Sequence, residues 1–301
     1  MQCDKIFGSS RGEKIAMKRI VITGKNSFTG RALTEWLSRW PEKYHVDTMS
    51  LRDNIGSFSG YDVVVHVAGI AHDSTRTADK EQYYRVNTQL THDTAQKARH
   101  DGVKQFVFMS SSIVYGTSAG IGQQKIITRD TPINPESYYG ESKAQAESLI
   151  TPLDDEKFHV CILRCPMIYG EGCKGNYPVL SKIARKLPVF PKVNNARSML
   201  YVKNFAEFVR LLVDDDAHGI FWPQNGEYSN TSELVKMIAE VHHRKIVLIP
   251  GCELPLKVCA KISGLVNKAF GSLTYDMSLS SYRENYRVYD LRRSIELTER
   301  I

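Results

Sequence analysis

No apolar run in this sequence approaches the ~18 residues that a bilayer-spanning helix needs, which excludes a helical integral membrane protein. There is no CxxC, and the six cysteines (Cys3, Cys161, Cys165, Cys173, Cys252, Cys259) form no paired ladder. Residues 1–16 carry Lys5, Arg11, Glu13 and Lys14 around no hydrophobic centre, so they are not a secretory signal. They read as a disordered tail or an upstream start, with Met17 just ahead of the first strand. Free thiols in a cytoplasmic protein are the expectation. Cys161 and Cys165 lie in an apolar run with no matching ligand pair and are read as structural, so no metal site is expected. Internal repeats and low-complexity tracts are missing too. The net charge of +7 is mild and reads as spread along the chain, which argues against a nucleic-acid binder and suits an anionic small substrate.

What is present is the composition of a soluble globular protein, 42% hydrophobic and 24% charged over 301 residues. Lys18–Thr23 (KRIVIT) is a β-rich run. The turn Gly24–Gly30 follows, then Ala32, Leu33, Trp36 and Leu37 at helical spacing. Strand, glycine turn and helix in that order make a dinucleotide-binding opening, with Gly24, Asn26, Ser27, Phe28, Thr29 and Gly30 around the pyrophosphate. Ser27 stands where a central glycine is usual. The second strand, His45–Leu51, ends in Ser50-Leu51-Arg52 rather than in a carboxylate for the ribose hydroxyls. Arg52 suits the 2′-phosphate of NADP or is an ordinary solvated loop residue, so NAD and NADP both stand.

Asp62–Val67 (DVVVHV) reads as a strand covered on both faces, and Val67, Ala68 and Gly69 bring small residues to its end where a dinucleotide passes. A helical pattern over 80–100 contains Asn87, placed to hydrogen-bond backbone near the cofactor or to sit exposed. Gln105–Met109 is the next strand and runs into Ser110-Ser111-Ser112, three hydroxyls at a parallel strand's C-terminal end. A loop over 117–137 leads to a helix with Tyr139 and Lys143. Val160–Arg164 is a further strand, followed by Cys165-Pro166. The expected fold is α/β, a doubly wound parallel sheet over 17–168, with a smaller C-terminal α/β lobe over 169–301 that returns some segments to the core. Beyond 168 the sequence predicts a loop over 172–178, a basic helix over 179–187, a strand over 197–203 and helices near 204–213 and 231–243. The amphipathic stretch 254–269, with three lysines, packs on that lobe or lies on a membrane surface.

Tyr139 and Lys143 are four apart, hence on one helix face about one turn from each other. An ammonium near a phenol favours the phenolate, so the pair is expected to make a tyrosine work as acid and base near neutrality. Chance also produces such pairs on amphipathic helices.

The motifs Ile22–Gly30 (ITGKNSFTG), His66–Gly69 (HVAG), Ser110–Gly116 (SSSIVYG), Tyr139–Lys143 (YGESK) and Leu163–Gly170 (LRCPMIYG) decide it by their order and spacing. Together they resemble the extended short-chain dehydrogenase/reductases, and within them the NAD-dependent epimerase/dehydratase family acting on nucleotide sugars. The resemblance implies a Rossmann domain and a nicotinamide dinucleotide, NAD or NADP. It also implies Tyr139 as acid/base, Lys143 on the nicotinamide ribose, and Ser111 on the sugar hydroxyl that is oxidised. By the same likeness Cys165 and Pro166 lie beside the nicotinamide. Ser112, Asn176 and Arg197 contact the substrate, Arg197 on its diphosphate.

The family's 4,6-dehydratases carry a Thr-Asp-Glu arrangement where this chain has Ser111-Ser112-Ile113, so elimination of water is not expected. What remains is hydride transfer at C4 of a UDP-linked hexose. The likeness to capsule-pathway proteins points to a reductase of an N-acetylated 6-deoxy-4-keto sugar for surface polysaccharide. A UDP-glucose or UDP-N-acetylglucosamine 4-epimerase with retained NAD is the alternative. A catalytically silent dinucleotide-binding regulator is a third reading, which the Tyr139/Lys143 pair speaks against. The resemblance further implies a homodimer through helices near 80–100 and 139–150.

Overall fold

The computed structural model describes residues 17–71, 79–262 and 264–300; the tail expected over 1–16 lies outside the described residues. The first half runs β1 (Lys18–Thr23), α1 (Phe28–Leu37), β2 (Tyr44–Met49), β3 (Val63–His66), α2 (Lys80–Tyr83), α3 (Leu90–His100), β4 (Gln105–Ser111), β5 (Ile126–Ile127), α4 (Tyr138–Ile150) and β6 (His159–Cys165). The second half runs β7 (Met167–Tyr169), α5 (Asn176–Lys186), β8 (Val189–Pro191), β9 (Met199–Tyr201), α6 (Val202–Asp214), β10 (Gly219–Phe221), α7 (Thr231–Val241), β11 (Val247–Ile249), α8 (Glu253–Ile262), α9 (Gly264–Phe270), β12 (Thr274–Tyr275) and α10 (Leu291–Glu299).

Six parallel strands make the central sheet in the order β10-β6-β4-β3-β1-β2. Its apolar runs follow from strand periodicity, because successive side chains point to opposite faces and both faces are covered. Ile20, Ile22, Val63, Val65, Val107 and Leu163 pack on one side against Leu33 and Leu37 of α1 and Phe205, Phe208 and Leu212 of α6. Their neighbours Val21, Val64, Phe106, Phe108 and Ile162 pack on the other against Ala95 and Ala98 of α3 and Ala146 and Ile150 of α4. Fully burying a side chain of this kind stabilises by roughly 1.5–3 kcal/mol, so a one-residue slip in any strand is strongly disfavoured. The chain leaves β1 for β2 on one side and crosses to β3 on the other. The crevice between the C-terminal ends of β1 and β3 is therefore the topological switch point where such sheets bind ligands.

Between α2 and α3 the helix widens into a π-turn over Tyr84–Gln89, a local insertion that is frequent at functional sites. The remaining strands form three two-stranded sheets: β7 with β9 and β8 with β11 over a second core of Tyr169, Tyr177, Leu180, Tyr201, Leu234 and Ile238, and β5 with β12 against Val114, Tyr115 and Trp222. Several expected boundaries shift. The loop over 172–178 ends early, because Gly175 at φ +94° turns the chain and Pro178 is tolerated in a helix's first turn, so α5 begins at Asn176. The strand over 197–203 shortens to Met199–Tyr201, since α6 starts at Val202 to bury Phe205, Phe208 and Val209. The stretch 254–269 is two helices, α8 and α9.

Candidate active site

At the switch point Gly24 leaves β1 with φ +87°, a left-handed conformation that disfavours any residue with a Cβ. A Cβ there would also stand 3.1 Å from the Ala68 backbone, so β1 and β3 approach this closely only because the side chain is missing. Ser27, in place of the usual glycine, caps α1: its Oγ accepts the Gly30 N–H at 2.9 Å. No acidic residue occupies the first turn of α1, so the positive end of the helix dipole stays open to an anion. The backbone cradle, the uncompensated helix end and a nearby buried lysine fit a dinucleotide pyrophosphate and ribose. Phe28 packs toward the second core, Val67 and Leu51 are buried in the sheet's two cores, and Arg52 is exposed and in no ion pair among the described residues.

β4 extends two residues beyond its expected end and carries Ser110 and Ser111 inside the strand, with Ser111 in register with Cys165 of β6. A 3₁₀ turn, Ser112–Tyr115, then begins with Ser111 as its cap, the Ile113 N–H donating to Ser111 Oγ. That leaves the Ser111 hydroxyl hydrogen free of the turn, and the hydroxyl lies near enough the Tyr139 phenol to pull its pKa down. α4 reaches this turn because Gly140 has no side chain: a Cβ there would lie 2.9 Å from the Ile113 carbonyl oxygen.

The pairing expected between Tyr139 and Lys143 is corrected by the structure. Lys143 Nζ donates to the Met109 carbonyl at 2.9 Å and sits 4.5 Å above the Phe108 ring rather than on the phenol. Burial lowers its pKa to about 8, against the opposing pull of Glu147. Burial pushes Tyr139 up to about 12, only partly offset by Ser111, so at neutral pH the phenol is protonated. Spacing on a helix puts two groups on one face, but desolvation outweighs an ammonium that points elsewhere. The Cys165 thiol, buried beside them, is pushed well above its ordinary pKa by that burial.

Beneath this group lies a polar network that no motif revealed. Glu147, one turn after Lys143 on α4, pairs with Arg164 at 2.7 Å and accepts a hydrogen bond from Ser110. Arg164 Nη1 donates to Tyr115 Oη at 2.6 Å, Trp222 Nε1 donates to the same oxygen at 2.7 Å, and Tyr275 Oη donates to the Arg164 carbonyl. Ser110 is therefore turned away from the crevice, leaving Ser111 as the strand hydroxyl beside Tyr139, while the Ser112 hydroxyl lies near enough Tyr275 to pull down its phenol's pKa. Asn87, in the π-turn, accepts the Ile70 N–H at 2.8 Å and donates to the Ile70 carbonyl and to Ser142 Oγ. It ties the Ala68-Gly69 wall to α4. A Glu four residues after the site Lys on the same helix face is the one signal in the sequence that could have found part of this network.

Arg197 is largely desolvated, which lowers its pKa, and its Nη1 donates to the Gly271 carbonyl at 2.9 Å and to Ser118 Oγ at 3.4 Å. Among the described residues no carboxylate pairs with it, so its forked donors keep their appetite for an anion. Asn176 is exposed as the first residue of α5 and joins neither group by a hydrogen bond.

A parallel sheet with a phosphate-ready switch point, and a Ser, Tyr and Lys gathered beside it, make the arrangement expected of a dinucleotide-dependent enzyme. The profile of the NAD-dependent epimerase/dehydratase family matches residues 20–221, and the chain belongs to that family as an enzyme of the extended short-chain dehydrogenase/reductase type working with a nicotinamide dinucleotide. The chain is 27% identical to UDP-glucose 4-epimerase of Vibrio cholerae over 89% of its own length and 90% of that protein's. It is 29% identical to N-acetyl-alpha-D-glucosaminyl-diphospho-ditrans,octacis-undecaprenol 4-epimerase of Escherichia coli O157:H7, over 66% of this chain and 59% of that one. Among solved structures, UDP-glucuronic acid 4-epimerase from Bacillus cereus in complex with NAD superposes with a TM-score of 0.71 at 17% identity, over 93% of this chain and 95% of that one.

Proposed function

We propose that this enzyme moves a hydride at C4 of a UDP-linked hexose, acting as a 4-ketoreductase. The observation that carries this reading is the placement of Ser111 beside Tyr139 at the end of β4, where its hydroxyl pulls down the pKa of a phenol that burial holds protonated, with Ser112-Ile113, not a carboxyl pair, at the strand exit. A nicotinamide dinucleotide supplies the hydride chemistry that side chains lack. Lys143, with an ammonium engaged by one carbonyl only, holds the ribose end, and the α1 N-terminus with Gly24 and Ser27 holds the pyrophosphate. Ser111 orients the C4 oxygen. Tyr139 protonates that oxygen as the carbonyl is reduced, a step in which a positioned acid is worth ~10²–10⁴-fold. Arg197 takes the diphosphate of the sugar nucleotide. An exposed Arg52 with no carboxylate at the end of β2 supports an exchanging NADPH.

The second reading is a UDP-hexose 4-epimerase, supported by the end-to-end likeness to the Vibrio cholerae enzyme. The two separate on the purified protein. A cofactor-free ultraviolet spectrum and turnover that needs added NADPH support the reductase, whereas NAD that survives purification and interconverts 4-epimers without added cofactor supports the epimerase. Tyr139→Phe removes the acid in either case and is expected to cut turnover ~10²–10⁴-fold. Full turnover in that variant would refute the mechanism, and a wild-type protein inert toward every UDP-hexose would favour the silent binder.

A further inference from the structure

The basic residues are not evenly spread: two stretches of the C-terminal lobe hold the whole charge imbalance. Residues 182–192 and 242–262 contain eight lysines and arginines against one carboxylate, Glu253, a surplus equal to the +7 of the entire chain. Among the described residues none of these eight is in an ion pair.

The fold brings the two stretches together. β8 and β11 pair in parallel with Val189 opposite Val247 and Pro191 opposite Ile249. Phe190 and Leu248 turn inward to the second core, so the alternating positions Val189, Val247 and Ile249 face outward and are exposed. α8 follows β11 after three residues, Pro250-Gly251-Cys252, with the Cys252 thiol donating to the Ile249 carbonyl at 3.5 Å. Leu256 and Ala260 pack α8 onto the same core, while on its opposite face Leu254 is 75% and Val258 60% exposed. Leu187 is likewise exposed where α5 leads into β8, so exposed apolar side chains recur on elements that adjoin in the chain. Lys186, Lys192, Arg244, Lys245, Lys257 and Lys261 are exposed on those same elements and beside them.

Exposed apolar side chains grouped in this way mark an interaction surface. The charge identifies its partner. A protein epitope would have to answer unneutralised cations spread over a strand pair and a helix. An anionic bilayer supplies a continuous negative surface and an acyl boundary for the apolar side chains at once, the combination that holds interfacial helices. We propose that the β8/β11 strand pair and α8 form a docking face for an anionic lipid bilayer. The face adjoins the substrate side of the enzyme: α9 continues from α8, Asn267 Nδ2 donates to the Ser118 carbonyl at 3.3 Å, and Gly271 accepts from Arg197. The proposal rests on the surface alone and holds whichever sugar is the substrate.

The test is flotation of the full chain with vesicles of mixed phosphatidylglycerol and phosphatidylcholine, against phosphatidylcholine alone, at low salt. The expected result is binding to the anionic vesicles only. Each lysine near such a surface is worth about fivefold in affinity, so Lys257→Gln with Lys261→Gln should weaken binding roughly twentyfold. Leu254→Ser with Val258→Ser should weaken it by about tenfold or more through lost apolar burial. All four positions are exposed, so an unchanged unfolding midpoint certifies the fold of both variants. Failure to float with anionic vesicles, or flotation that neither pair of substitutions alters, overturns the proposal. So does a dimer in light scattering that Leu254→Ser with Val258→Ser dissolves, because a second copy then covers the face.

Discussion

Glu147→Leu tests the idea that the active-site helix is held by a buried charge pair. The Glu147 carboxylate and the Arg164 guanidinium are almost wholly excluded from water, joined at 2.7 Å, with Ser110 on one carboxylate oxygen and Tyr115 on the other side of the guanidinium. Removing the carboxylate alone leaves a buried cation with no opposite charge beside it, only the Tyr115 phenol and the Trp222 ring, which costs about 3–5 kcal/mol. Ser110 loses its acceptor as well, adding roughly 1 kcal/mol. Removing both charges, with Glu147→Leu and Arg164→Met, leaves Tyr115 still bonded by Trp222 and no orphan ion. The double variant should therefore be markedly more stable than the single one. Urea titrations of wild type, both single variants and the double variant give the four corners of the cycle. A Glu147→Leu loss below about 1 kcal/mol, or losses in the two single variants that simply add in the double, would refute the reasoning. The same variant has a functional signature: Glu147 raises the Lys143 pKa, so its removal should shift Lys143 titration further below about 8.

Other outcomes follow from the same site. Burial lowers the Lys143 pKa to about 8 in the folded chain against 10.5 for an ordinary lysine, so the unfolded chain binds more protons between those pH values and stability rises with pH across that window. Lys143→Met should accordingly be more stable than wild type at pH 7, with the gap closing as pH climbs through about 8 to 10.5; a constant gap in chemical denaturation would contradict this. His66, buried between Thr23 and Thr91 and held down to about 3 by burial and the Lys143 charge, stays neutral in the folded chain. It should contribute a loss of stability that begins as pH falls below about 6.5, which His66→Gln removes from the acid limb of a stability profile. Gly24→Ala imposes a left-handed alanine at a cost of roughly 1–2 kcal/mol, and its Cβ 3.1 Å from Ala68 should weaken dinucleotide binding in calorimetry. Arg197→Met should raise the KM for a UDP-sugar by about 10- to 100-fold, the worth of a charged hydrogen bond, with a smaller change in kcat; an unchanged KM would remove Arg197 from the substrate site.

Sequence alone determined the elements whose signal is local and repeated. β1 falls at Lys18–Thr23 as the KRIVIT run predicts, and the apolar run after Asp62 holds a strand, Val63–His66, because only a sheet covered on both faces buries every residue of it. The order of glycine turn, serine-bearing strand exit and Tyr/Lys helix fixed the family for the same reason, since each motif needs its own strand or helix end. Tertiary structure decided what depends on where a side chain points once the helices dock. It turned Ser110 down to Glu147 and left Ser111 to Tyr139, though the two are neighbours with the same chemistry. Lys143 went to the Met109 carbonyl, so the phenol it was expected to acidify is instead raised by burial, a desolvation that only the packed chain creates. The cations scattered along the second half became one face when β8 and β11 paired, because strand pairing joins residues far apart in the chain.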